Sequence, residues 1–186
     1  MDALFCAPDS PRPELLGVQQ ASTGWVNKYL LSYRLPDGTP FTYESASRER
    51  SAAAYEAALR RHGQGEPVAS EAVCVVPMLP DGELMLIKEF RYPVNSWVVA
   101  FPAGLIDEGE DEVTAISREL AEEVGLRVRT ELGQRAVRML PQAGLSSTGL
   151  AEEAVRIAIV QVDHAGQAQP EPNELIEPFT LRREDI

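Results

Sequence analysis

Cysteine is nearly missing from this chain: Cys6 and Cys74 are the two present among 186 residues, and they lie far apart. Such usage excludes a disulfide-stapled scaffold and fits a reducing, cytoplasmic setting. Cys74 falls in the apolar run 72–76, where a thiol reads as core rather than ligand. Positive charge is also in short supply, with 17 Lys and Arg against 29 Asp and Glu and a net charge of −12. Nucleic acid and anionic membrane surfaces are therefore not expected partners, because each needs a basic patch. A small anionic substrate stays compatible, provided metal ions and a few arginines line the site. No apolar stretch approaches the roughly 20 residues of a membrane-spanning helix. The beginning of the chain, with Asp2, Pro8 and Asp9, does not read as a signal peptide. There are no internal repeats, and only residues 167–172 are compositionally biased.

What is present suits one domain with room for a small appendage. Residues 1–13 are Pro-rich and read as loose, and residues 14–44 read as short strands. Within them, 25–35 is strand-like, Pro36-Asp37-Gly38 is a turn, and 41–43 is a partner strand. Two strands facing water do not stand alone and need the main body or a second subunit. Residues 47–62 are rich in Ala, Arg and Glu and end at Gly63, predicting a helix. Strands are then expected at 71–79, 84–90, 97–101, 126–130, 135–140, 154–162 and 175–181, with a turn at Pro80-Asp81-Gly82. The boundaries predict an N-terminal region, 1–66, and a main domain, 67–186.

The densest signal lies between Gly104 and Leu126. Asp111 is placed to cap a helix, and Gly125 to end it in a left-handed C′ conformation. Val113, Ile116, Leu120 and Val124 recur at helical spacing and predict one apolar stripe. Glu119, Glu122 and Glu123 fall on a different arc. Glu119 and Glu123 are neighbours at i, i+4, where like charges destabilise a bare helix by a few tenths of a kcal/mol. A divalent cation is the natural candidate to offset that repulsion, the alternative being a solvated acidic face. Mg²⁺ suits the site, since it prefers a few carboxylates, retained waters and phosphate oxygens.

Gly104, Glu110, Arg118, Glu119, Leu120, Glu122, Glu123, Gly125 and Leu126 fill every defining position of a motif that resembles the Nudix box. The resemblance implies an α+β Nudix fold, an α/β/α sandwich in which a mixed sheet carries the loop–helix–loop. Relatives commonly close the second sheet face with a C-terminal helix, which would begin here near Arg182. The 47–62 helix is expected to cover that face or a dimer interface, burying Tyr55 and Leu59.

The flanks are similar to the ADP-ribose pyrophosphatase subgroup: Glu89-Phe90-Arg91-Tyr92-Pro93, then Pro102-Ala103-Gly104, then Pro141-Gln142-Ala143-Gly144-Leu145-Ser146. Glu89 stands where the subgroup has glutamine, Ala100 where it has glutamate, and Ala143 where it has proline. The resemblance implies Mg²⁺, with Mn²⁺ as the alternative ion, held by Glu119, Glu123 and the Ala103 carbonyl. Glu122 would be a further ligand or a supporting carboxylate. Arg118 would orient a box glutamate, and Glu110 would close the loop–helix–loop. Arg91 would contact phosphates, and Arg48 is a weaker ribose or phosphate candidate. Trp25 and Tyr43 would stack the adenine, from one subunit or two of a homodimer, or else serve as strand core. Glu174 would be the base, with Glu171 and Glu177 as rivals. The implied reaction hydrolyses ADP-ribose or another ADP-sugar to AMP and a sugar phosphate. The alternatives are a Nudix hydrolase of a GDP-sugar, dinucleoside polyphosphate or oxidised nucleotide, and a non-catalytic ADP-ribose-binding module.

Overall fold

The structure is a computed structural model and describes residues 11–185, so the Pro-rich reading of 1–13 lies mostly outside the described residues. These residues divide into two compact units, one of residues 11–69 with 145–153, the other of 70–144 with 154–185.

The first unit is built on three antiparallel strands, β1 (Glu14–Gln20), β2 (Asn27–Arg34) and β3 (Pro40–Ser47), in the order β1-β2-β3. Asp37 accepts from the Thr39 amide at 2.9 Å and closes the expected turn between β2 and β3. Helix α1 (Ala52–Gly63) starts later than the composition predicts, because the Ser51 hydroxyl caps it by accepting from the Ala54 amide. Tyr55 is 1% exposed and packs its ring 4.8 Å from that of Tyr29, with Leu31 completing the cluster. The buried face of α1 packs on the small sheet of its own unit, where Tyr55 is buried and Leu59 half-buried. The third strand and this helix also supply what two strands alone lack.

The second unit is a mixed sheet with one helix against it. Its strands are β4 (Ala72–Met78), β5 (Leu84–Arg91), β6 (Ser96–Ala100), β7 (Ala103–Leu105), β8 (Leu126–Val128), β9 (Val137–Met139), β10 (Gly144–Leu145), β11 (Ala154–His164) and β12 (Ile176–Leu181). β4 runs parallel to β11, while β7 pairs with β4, and β6 and β12 with β5, all antiparallel. The main strands fall where the sequence predicts them. β7 is an addition, since three residues after a proline carry no readable alternation.

Helix α2 (Glu112–Val124) has the expected ends. Asp111 accepts from the Thr114 amide at 2.8 Å, and Gly125 is left-handed at φ 65°. Ile116 and Leu120 are fully buried, together contributing on the order of 3–6 kcal/mol. Two details differ from expectation. Val113 is exposed and Ala115 takes its place in the core. Glu119 and Glu123 are buried as well, because strands close over a second side of the helix.

Gly125 does more than end the helix. Its carbonyl accepts from the amides of Ala165 and Gly166, and a Cβ there would stand 2.5 Å from the Gly166 carbonyl oxygen. Gly125→Ala is expected to cost at least about 2 kcal/mol, through backbone strain and that collision. The measurement is the urea midpoint, and an unchanged midpoint would refute the close packing of residues 165–168 on the helix end.

Candidate active site

β7 and α2 together build the acidic centre. β7 is held in register on β4 through Ala72↔Leu105, Val73↔Gly104 and Cys74↔Ala103. This brings Ala103 and Gly104 against the carboxylates of the helix. The Ala103 amide donates to Glu123 Oε2 at 3.0 Å. Gly104 lies so close to Glu119 that a Cβ there would run into its carboxylate.

Arg118 ties the elements together. Its guanidinium donates to Glu119 Oε1 at 2.7 Å, Glu122 Oε2 at 3.3 Å, the Leu105 carbonyl at 2.8 Å, and both oxygens of Glu110 at 3.1 and 3.0 Å. Glu110 also accepts from the Asp107 amide at 3.0 Å, which closes the loop before α2. The bond to Glu110, ahead of that to Glu119, raises the Arg118 pKa, and the same bond lowers that of Glu110.

Burial dominates the electrostatics of the two inner glutamates. Glu119 is 6% and Glu123 3% exposed. Burial raises the Glu119 pKa, against the opposing pull of Arg118. Burial pushes Glu123 up to about 8; the charge of Glu119 adds to the effect, the Ala103 amide opposes it, and Glu174 and Glu89 add smaller amounts. Two buried carboxylates that cannot both ionise comfortably are a donor set with room for positive charge. Among the described residues no three His, Cys, Asp or Glu side chains cage an ion by themselves. The arrangement fits an ion that takes two carboxylates and completes its shell from a backbone carbonyl and phosphate oxygens, as Mg²⁺ does.

Glu174 arrives from the loop before β12, near enough for its charge to be felt at Glu119, Glu123 and Glu89. Its Oε2 accepts from the Glu171 amide at 2.9 Å. Its rivals take other positions: Glu171 shares that turn, and Glu177 lies on β12 opposite Lys88. Arg91 is half-exposed at the end of β5 and pairs with Glu89 at 2.9 Å. Burial raises the Glu89 pKa, and Arg91 partly offsets it. Sequence reasoning treated Glu89 only as a departure from glutamine. Its alternation with Arg91 on one strand was the signal that places both on the same side.

The remaining candidates belong to the first unit. Trp25 is 70% exposed and Tyr43 37%, so neither is strand core. The Tyr43 hydroxyl donates to the Gly149 carbonyl at 2.6 Å, and Arg48 pairs with Glu153 at 2.5 Å.

The Gly104 contact carries its own prediction. Gly104→Ala is expected to weaken metal binding by about 10–100-fold, the usual cost of disturbing a ligand's support. Calorimetric titration with Mg²⁺ measures it, and an unchanged affinity would separate Glu119 from the metal site.

Known proteins share this architecture. A solved ADP compounds hydrolase superposes with a TM-score of 0.69 at 22% identity, covering 93% of this chain and 80% of its own. The mouse ADP-sugar pyrophosphatase is 29% identical over 172 residues, 87% of this chain and 69% of its own length. The Saccharomyces cerevisiae ADP-ribose pyrophosphatase is 29% identical over 161 residues, 84% of this chain and 64% of its own. The Escherichia coli ADP compounds hydrolase NudE is 40% identical over 85 residues, 46% of this chain and 43% of its own. No described helix is long and apolar enough to cross a membrane. The NUDIX domain profile matches residues 69–186, the stretch that holds β7, α2, Arg118 and the buried glutamate pair, and the chain belongs to that family.

Proposed function

We propose that this protein is a Mg²⁺-dependent pyrophosphatase of ADP-ribose or a related ADP-sugar, releasing AMP and a sugar phosphate. The observation that carries the reading is the buried Glu119–Glu123 pair, with Arg118 holding Glu119, the Ala103 amide holding Glu123, and the charge of Glu174 felt at both. Mg²⁺, when bound by Glu119, Glu123 and the Ala103 carbonyl, supplies Lewis-acid neutralisation of the diphosphate. Glu122, held by Arg118 at the rim, supports that set. Arg91 meets phosphate oxygens with its planar fork, and Glu89 restrains it. Glu174 takes the proton of the attacking water. A new P–O bond forms on one phosphorus, the bridging P–O bond breaks in line, and the departing phosphate carries the released charge.

The N-terminal region supplies the base contacts. Trp25 and Tyr43 expose aromatic faces of the kind that stack on adenine, with Arg48 serving the ribose or phosphates. A homodimer belongs to the same reading, and exposed apolar side chains such as Trp25 and Phe41 would serve its interface. The scarcity of cysteine supports a cytoplasmic setting. Names of the relatives favour ADP compounds over GDP-sugars, dinucleoside polyphosphates or oxidised nucleotides. A substrate panel with Mg²⁺, scored for nucleoside monophosphate release, tests the reading. The expected result is AMP release, fastest from ADP-ribose or an ADP-sugar. A faster GDP-sugar or nucleoside triphosphate would overturn the substrate, and no turnover at all would overturn the enzyme.

A further inference from the structure

We propose that Tyr92 is a positioning residue: its hydroxyl locates the loop that carries Glu174. The inference rests on the reading of Glu174 as the base. Glu174 lies in an irregular segment between β11 and β12, in a turn closed by its own amide donating to the Glu171 carbonyl at 2.9 Å. That turn orients the carboxylate but does not place it against the rest of the site. Two bonds from the end of β5 do so, one on each side of Glu174. The Phe90 amide donates to the Leu175 carbonyl at 3.1 Å, and the Tyr92 hydroxyl donates to the Asn173 carbonyl at 3.0 Å. Of the two, only the Tyr92 bond comes from a side chain. The same strand end carries the Glu89–Arg91 pair, so one element sets the base loop and the phosphate-facing arginine in a common frame.

Tyr92 is built to hold its direction. It opens a 3-10 turn, Tyr92–Val94, in which Pro93 restricts the backbone and the Asn95 amide donates to the Tyr92 carbonyl at 3.1 Å. Its ring meets that of Phe90 edge-on at 5.5 Å, and Phe90 in turn meets Trp97 at 6.0 Å. Yet Tyr92 is 62% exposed, so the core does not depend on it. An exposed aromatic whose hydroxyl reaches across to a loop carbonyl has a clear job in that loop. Small displacements of a reacting group cost rate steeply.

Tyr92→Phe keeps the ring contact and removes only the anchor. With ADP-ribose and Mg²⁺, kcat is expected to fall about three- to tenfold, the rate equivalent of one hydrogen bond, while KM stays within about twofold. In a Glu174→Gln background the same substitution is expected to change kcat by less than about 1.5-fold, because the group it positions is already disabled. Equal losses in both backgrounds would show a general structural effect and overturn the proposal. A Tyr92→Phe enzyme at wild-type speed beside a crippled Glu174→Gln would overturn it while leaving the base reading standing. A Glu174→Gln enzyme at wild-type speed would remove the base reading, and this proposal with it.

Discussion

Replacing Glu123 with glutamine is expected to lower kcat on the order of a thousandfold while the protein stays folded. Losing one metal-holding carboxylate removes several kcal/mol of charge stabilisation, and about 1.4 kcal/mol is worth a factor of ten. Glutamine keeps an acceptor for the Ala103 amide, so the local backbone bond survives. The stability of the metal-free protein should move the other way. Burial, with the neighbouring Glu119 charge, raises the folded-state pKa of Glu123 from 4.5 to about 8. A raised pKa contributes stability that is fully present below the unfolded value and is lost as pH rises through the folded one. Metal-free wild type therefore weakens between about pH 4.5 and 8, and a residue that cannot ionise escapes this loss. Thermal melts in chelator should show the variant gaining on wild type as pH rises towards 8. Mg²⁺, which binds the ionised carboxylate, should raise the wild-type melting temperature more at pH 8 than at pH 6. AMP release within tenfold of wild type would remove Glu123 from the metal site. A Mg²⁺ shift that shrinks with pH would refute the electrostatic account.

Glu174→Gln is the second large effect. Loss of a general base costs about 10²–10⁴ in rate. The substitution retains an oxygen to accept from the Glu171 amide, so the turn should hold. The loss should appear in kcat, with KM near its wild-type value, since Glu174 is not asked to bind substrate. Glu171→Gln and Glu177→Gln should remain within a few-fold of wild type. If one of those two carries the large loss instead, the base belongs there. The place of Glu177 within β12, in register with Lys88 of β5, and the part of Glu171 in closing the turn are the reasons to expect otherwise.

Much of the fold was legible because its causes are local. Asp111 and Gly125 bracket α2 through bonds to residues within one turn, so the helix ends could be read directly. The start of α1 was misjudged because composition favours helix from residue 47, whereas the chain waits for the Ser51 cap. What its apolar face packs on within its own unit was not legible for a different reason. An amphipathic helix declares that it has an apolar face, not which surface that face will meet, and here the nearby Tyr29 and Leu31 take it. Val113 shows the same limit: helical spacing put it on the stripe, yet it stays exposed.

By itself, the sequence determined the reaction class. It did so through the Nudix-box resemblance of 104–126; spacing alone only places Arg118, Glu119, Glu122 and Glu123 together on one helix, because side chains three and four apart are neighbours wherever a helix forms. It also determined where that helix begins and ends. Only the tertiary structure decided that Glu119 and Glu123 are buried, that β7 brings Ala103 and Gly104 onto them, and that Glu174 and Glu89 add their charges to the same centre. The physical reason is that a helix pattern orders residues within a few turns. The pairing of β7 on β4 and of β12 on β5 joins segments far apart in the chain, and desolvation exists only once those segments have closed over the carboxylates.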